Sequence, residues 1–291
     1  MNLDHVLSLR FAPTDQDYDM RDSLLYALSL GMGSDPLDRD ELPYVYEGPG
    51  GGAPKVVPAQ CMILGWIPFW QDDPATGIAW KQILHGEERF QIHQPLPAAG
   101  RVRALHHVAA VSDKGAGRGA VLQMDTKLYD RDSNALLATL QSMAFMRGDG
   151  GCGSAGTLAE PLATLPEDAR PDAVMDIATT RQAALLYRAV SRDWMLIHAD
   201  PAIAREAGFE VPVSHGLNNL GRACRAVLKH FAPGQPERLL SFGARFVSPG
   251  LPGDTVRVSM FRDGPGKLRF RADALERGVR LIDRGTCALR T

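Results

Sequence analysis

SHGLNNLGRACRAVLKHF (residues 214–231) decides the fold. Leu217, Leu220, Cys224, Val227, Leu228 and Phe231 recur at three- and four-residue intervals, so they share one stripe of an α-helix of about five turns. Four alternating runs follow: LLSFGARFVS (239–248), DTVRVSMFRD (254–263), KLRFRADALER (267–277) and VRLIDRGTCAL (279–289). A period of two is that of strands, and the Gly- or Pro-containing turns between the last pairs predict antiparallel hairpins. Helices do not alternate with these strands, so a parallel α/β sheet is disfavoured. The pattern is α+β, with a sheet curling round the long helix to bury its stripe.

Working back from the helix, AVMDIAT (173–179) reads as a strand, TRQAALLYRAV (180–190) as a short helix and PAIAREAGF (201–209) as a further turn or two. Between the two helices the chain carries an acid, Asp193, and a base, His198, five residues apart. An acid and a base so spaced can position and deprotonate a water. The first free N–H groups of the long helix, around Gly216, can stabilise a developing enolate oxygen. Together these groups are what water addition to a polarised thioester requires.

The chain also repeats itself. Arg21 followed by Leu24-Leu25-Tyr26 recurs as Arg181 followed by Leu185-Leu186-Tyr187, and PLPAAGRVR (95–103) recurs as GLPGDTVR (250–257). Matching order and spacing predict two copies of one unit. GDGGCGSAGTLAEPLATLPEDARPDA (148–173) is rich in breakers and reads as the connector. The expected domains are 1–149, a linker over 150–172, and 173–291. In the first copy the counterpart of the long helix is VPAQCMILGWIPFWQDD (57–73), which Gly65 and Pro68 should interrupt. SLGMGSDPLDRDELPY (29–44) holds no Asp-x4-His pair, so one active site per chain is expected.

Residues 187–221 resemble the hydratase 2 motif of the MaoC-like (R)-specific enoyl-CoA hydratases, written Y-x-x-S-G-D-x-N-P-L-H and followed by a His-Gly helix start. Ser191, Asp193, His198, Asp200, Pro201, Ala207-Gly208-Phe209, Pro212, His215-Gly216-Leu217 and Gly221 match, and Tyr187 stands one residue further ahead of Ser191 than the pattern writes it. The resemblance extends to RDSLLYALSLGMG (21–33), YVYEG (44–48), LHGEE (84–88) and DKGAG (113–117). It implies a double hot dog fold and a pseudo-dimer within one chain. The activity it implies is reversible hydration of a trans-2-enoyl-CoA to the (R)-3-hydroxyacyl-CoA. Asp193 and His198 would hold the water, and the Gly216 N–H would serve the carbonyl oxygen. Glu47 would stand near the cleft, and the first half would accommodate fatty or bulky acyl chains, with Trp66 and Trp70 as candidate lining. His215 reads as a helix-start and packing residue at the substrate. Lys114 and Arg222, with Arg225 and Lys229, are candidate partners for the CoA phosphates on an outer helix face.

The chain departs from the motif at Arg192, Met195 and Leu196, where the family has Gly, Asn and Pro. A loop needing a positive φ at 192 would be strained by arginine, and an arginine there would bring a cation beside Asp193. Met195 replaces an amide clamp by a thioether that accepts only weakly. The alternatives are a catalytically impaired acyl-CoA-binding protein and a thioesterase on the same scaffold; the Asp–His spacing favours hydration.

Composition narrows the rest. A net charge of −2 over 291 residues gives no basic surplus for nucleic acid. No run spans a bilayer and no apolar leader opens the chain. The four cysteines form no Cys-x-x-Cys pair, and His106 and His107, adjacent on a strand, must face opposite ways. No metal and no cofactor are expected, coenzyme A being part of the substrate. The terminal LRT is no SKL-type address, so a cytoplasmic protein is the expectation, and the family resemblance implies a homodimer.

Overall fold

The computed structural model describes residues 1–291. Its first half runs α1 (Leu3–Ser8), β1 (Thr14–Tyr18), α2 (Met20–Ser29), α3 (Leu42–Val45), β2 (Ile83–Ile92), β3 (Gly100–Asp113), β4 (Ala120–Asp130) and β5 (Leu136–Met146). Its second runs β6 (Ala173–Ala178), α4 (Ala183–Ser191), α5 (Pro201–Glu206), α6 (Gly216–Phe231), β7 (Leu239–Phe246), β8 (Thr255–Arg262), β9 (Lys267–Ala274) and β10 (Val279–Leu289). Residues 157–172 between them form no helix or strand.

All ten strands join one antiparallel sheet, in the order β1-β3-β4-β5-β2-β7-β10-β9-β8-β6. Read inward from either edge the two halves have the same internal order, so the duplication seen in the sequence is a pseudo-twofold in the sheet. The halves meet where β2 pairs with β7, with Phe90 opposite Phe242 and their rings stacked at 5.9 Å. The repeated tyrosines, Tyr26 and Tyr187, meet near the same axis with ring centroids 6.2 Å apart. This is the double hot dog arrangement, and the α+β reading holds.

Leu217, Leu220, Cys224, Val227 and Leu228 of α6 are buried in the main core with β7, β8 and β9 residues such as Phe242, Met260 and Phe270. The other side of α6 is covered as well, which the single-stripe reading did not foresee. Asn218 Nδ2 donates to the Ser29 carbonyl (3.3 Å), and a Cβ at Gly221 would lie 2.6 Å from Leu30. Glycine at 221 is therefore what lets α2 cross α6 so closely.

That cover corrects the outer-face assignment of the arginines. Arg222 and Arg225 are 2% and 3% exposed. Arg225 forks onto Glu41 through Nε–Oε1 (2.6 Å) and Nη2–Oε2 (2.8 Å), and its Nη1 donates to the Leu30 carbonyl (3.1 Å). Lys229 pairs with Asp38. Arg225 and Lys229 thus tie segment 30–41 of the first half to α6 instead of standing on a rim.

In the first half the counterpart of α6 is only a short 3₁₀ turn, Pro58–Ile63. It ends where Gly65 takes φ +66° and where a Cβ would come within 2.5 Å of the Ala104 side chain. The interruption expected from Gly65 and Pro68 is present.

Candidate active site

Three segments of the second half build the site. Helix α4 ends at Ser191, and Arg192 turns the chain at φ +60°, ψ +17°, the left-handed conformation that frees the next residues to leave the helix axis. The conditional expectation of strain at 192 is thus met, since a non-glycine residue occupies that region. Arg192 forms no ion pair with Asp193, however; its side chain is exposed. Asp193 leaves the turn with its N–H donating to Ser191 Oγ (3.3 Å), and its Oδ1 accepts from the Met195 N–H (3.1 Å). That clamp needs only the backbone of residue 195, so the loss of an amide side chain there does not release the carboxylate. The Met195 side chain itself is 46% exposed.

His198 closes a single 3₁₀ turn, Leu196–His198, and donates from Nδ1 to the Val213 carbonyl (2.8 Å). A carbonyl can only accept, so Nδ1 carries the hydrogen and Nε2 presents its lone pair. His215, the N-cap residue of α6, stacks on His198 with centroids 3.7 Å apart and planes 23° apart, and its Nε2 lies 3.8 Å from Asp193 Oδ2. At 3.8 Å this is no hydrogen bond. His215 is 2% exposed, and neither of its ring nitrogens has a partner in the chain. Burial, with His198 alongside, pushes its pKa down to about 2 despite Asp193, so the ring is neutral and the contact is not an ion pair. Burial also lowers His198, which the Val213 carbonyl and Asp193 partly oppose.

The donor atoms of Asp193, His198 and His215 all lie within 4.8 Å of one another. Three such donors could by number hold a metal, and the same cluster, with a carboxylate beside two imidazoles, can also position a water and move its proton.

Helix α6 starts beside these groups. The Gly216 and Leu217 N–H groups have no acceptor within the chain, and His215 offers no side-chain cap. A Cβ at Gly216 would sit 3.2 Å from the Phe246 ring, which in turn meets the His85 ring at 4.8 Å. A side chain here would make a tight contact that Phe246 would have to relieve by a few tenths of an ångström. His85 is fixed by Glu88 Oε2 (3.0 Å) and Ser142 Oγ (3.1 Å).

The structure does not gather the remaining expected residues here. Glu47 is exposed on the loop after α3, without a hydrogen bond and outside the Asp193–His198–His215 cluster. Lys114 sits in the β3–β4 turn, its Nζ on Ser112 Oγ (2.9 Å). Trp66 packs on the main core, and Trp70 on a small cluster around Val111 and Met146, with Phe11 at 5.3 Å. Arg222 donates from Nη1 to Asn219 Oδ1 (2.8 Å) inside the helix packing. Sequence reading missed the Val213 carbonyl, which leaves no side-chain signal, and Phe246, which reads as one more strand residue.

Two family descriptions match the chain: an MFE-2 hydratase 2 N-terminal domain over residues 16–148 and a MaoC like domain over 163–283. It is 34% identical to 3-hydroxyacyl-thioester dehydratase Y of Mycobacterium tuberculosis, over 87% of this chain and 85% of that one. It is 32% identical to a peroxisomal enoyl-CoA hydratase 2 of Arabidopsis thaliana, over 90% and 88%. A MaoC-like dehydratase from Phytophthora capsici superposes with a TM-score of 0.86 at 31% identity, covering 100% of this chain and 99% of the other.

Proposed function

The chain belongs to the MaoC-like dehydratase family, with a hydratase 2 N-terminal domain preceding the MaoC-like one, and from that premise we propose that it is a hydro-lyase that hydrates trans-2-enoyl-CoA reversibly to (R)-3-hydroxyacyl-CoA. One observation carries the assignment of roles: the free Nε2 of His198 and the carboxylate of Asp193 converge beside the unpaired N–H groups of Gly216 and Leu217.

The thioester carbonyl oxygen accepts from the Gly216 N–H, drawing electron density from C3. Asp193 and His198 hold a water between them. As the water oxygen bonds to C3, His198 Nε2 takes one of its protons, and a proton is returned at C2. Net, H and OH add across the double bond; dehydration is the same path reversed. Atoms balance with proton movement alone, so the chemistry calls on no redox group.

No helix is long and apolar enough to cross a membrane. All four cysteines are free, which suits a reducing compartment, and we place the protein in the cytoplasm as a homodimer. Glu47, Lys114, Trp66 and Trp70 have no part in the catalytic step as written.

The test is a panel of trans-2-enoyl-CoAs, from short linear to bulky branched, read by loss of enoyl absorbance and by release of free thiol. Enoyl loss without thiol, abolished in Asp193→Asn and His198→Ala, is the expected result. Thiol release would make the protein a thioesterase, and binding without turnover would make it an acyl-CoA-binding protein.

A further inference from the structure

Arg188 lies one residue past Tyr187 on α4, and no ion pair includes it. Its guanidinium carbon stands 4.5 Å over the Trp194 ring, and its Nη2 donates to the Trp194 carbonyl (3.2 Å). Its Nε is buried without an acceptor, so the side chain is packed into place and not swinging in water. Trp194 is the residue after Asp193, and its indole is 59% exposed, with nothing but this arginine recorded against its face. The two contacts thus reach across the left-handed turn at Arg192 and join the last turn of α4 to the far side of Asp193. Without them the start of the loop is held by the Ser191 Oγ and Met195 N–H contacts of Asp193, while its far end is fixed by the Met195 and Leu196 carbonyls, which accept from His198, Ala199 and Asp200.

We propose that Arg188 is a positioning residue, which uses the Trp194 carbonyl and indole to hold the loop so that Asp193 faces His198 and the α6 N-terminus. Arginine suits the task because a planar guanidinium can stack on an indole and donate in its own plane at once, whereas an ammonium cannot do both. The charge of Arg188 is also felt by both imidazoles, where it favours the neutral rings. The catalytic consequence rests on the hydratase reading; the clamp itself does not.

The experiment uses the full chain as wild type, Arg188→Met, Arg188→Lys, Trp194→Ala and the double variant Arg188→Met/Trp194→Ala. Two readouts are taken: amide hydrogen exchange over residues 192–198, and kcat and KM with a trans-2-enoyl-CoA. Arg188→Met should raise exchange in that segment about tenfold, leaving α6 unchanged. It should lower kcat about 10- to 100-fold with KM little altered, since a displacement of about 1 Å in a catalytic group costs that much. Arg188→Lys should recover part of the loss, and the double variant should be no worse than Arg188→Met, because both groups act as one unit. Wild-type exchange and kcat in Arg188→Met would overturn the proposal. So would a change confined to KM, which would make Arg188 a substrate contact, or losses that multiply in the double variant. If wild type turns over no enoyl thioester, the hydratase reading fails while the exchange comparison still decides the clamp.

Discussion

Within the site, two neutral imidazoles and one carboxylate are stacked against the end of a helix, and their titration sets both activity and stability. His198 must be neutral to accept a proton, and burial holds its pKa below the ordinary 6.5. Hydration should therefore persist at neutral pH and fall on the acid side, with the acid limb of kcat/KM below 6.5. Stability has the same sign. A histidine kept neutral in the fold binds its proton more readily when unfolded, so its contribution is complete above about pH 6.5 and is lost as pH falls below it. For His215 the loss continues toward about 2. For His215 the cost is about 1.4 kcal/mol per pH unit in that window. Thermal melts from pH 7 to 5 should show a steep decline that is shallower in His215→Asn; parallel slopes would contradict it. Removing the base by His198→Ala should cost about 100- to 10,000-fold in kcat. Arg192→Gly should raise stability by about 1 kcal/mol, because a left-handed arginine is replaced by the residue that adopts φ +60° without penalty. An unchanged melting temperature there would mean that the turn stores no strain.

At the level of elements, the site depends on how closely α6 can be approached from both sides. Gly216→Ala would push a methyl to about 3.2 Å from Phe246, a ring that also meets His85, so the ring or the helix start gives by a few tenths of an ångström. The expected outcome is a kcat loss on the order of 100-fold with little change in melting temperature. Comparable losses of both would point to general damage. The covered side explains where sequence reading stopped short. The apolar stripe from Leu217 to Phe231 was legible because hydrophobic spacing records burial against a sheet. Arg222 and Arg225 were assigned to the surface because charge normally records exposure. The burial of Arg225 follows from a partner 184 residues away in sequence, Glu41, which no local pattern reveals, and Arg222 is buried beside it on Asn219 of its own helix. The left-handed turn at 192 was legible as a condition, since only a backbone demand makes arginine there conspicuous. The Val213 carbonyl that fixes the His198 tautomer belongs to the backbone and has no letter in the sequence.

Across the whole molecule, the halves share more than a linker. Strands β2 and β7 make one continuous sheet, and the buried Arg225–Glu41 pair joins α6 to the first half. All the groups assigned to catalysis lie in the second half, so on residue content alone 150–291 should suffice for activity. The packing argues otherwise. Separated from 1–149, the second half would expose the β7 edge, with Phe242 on it, and leave Arg225 without its carboxylate. Breaking one buried ion pair by losing a partner costs about 3–5 kcal/mol, a large share of a typical stability of about 5–15 kcal/mol. We therefore expect residues 150–291, expressed alone, to be insoluble or inactive, and co-expression with 1–149 to restore a soluble hydratase. In the intact chain Glu41→Ala should lower stability by about 3–5 kcal/mol, and the paired change Glu41→Leu/Arg225→Met should recover most of it by replacing an ion pair with apolar packing. Urea melts of the three proteins would decide the matter. If Glu41→Ala costs less than about 1 kcal/mol, the pair is not what couples the halves. An active fragment 150–291 would mean that the first half serves the acyl chain and not the fold of the site.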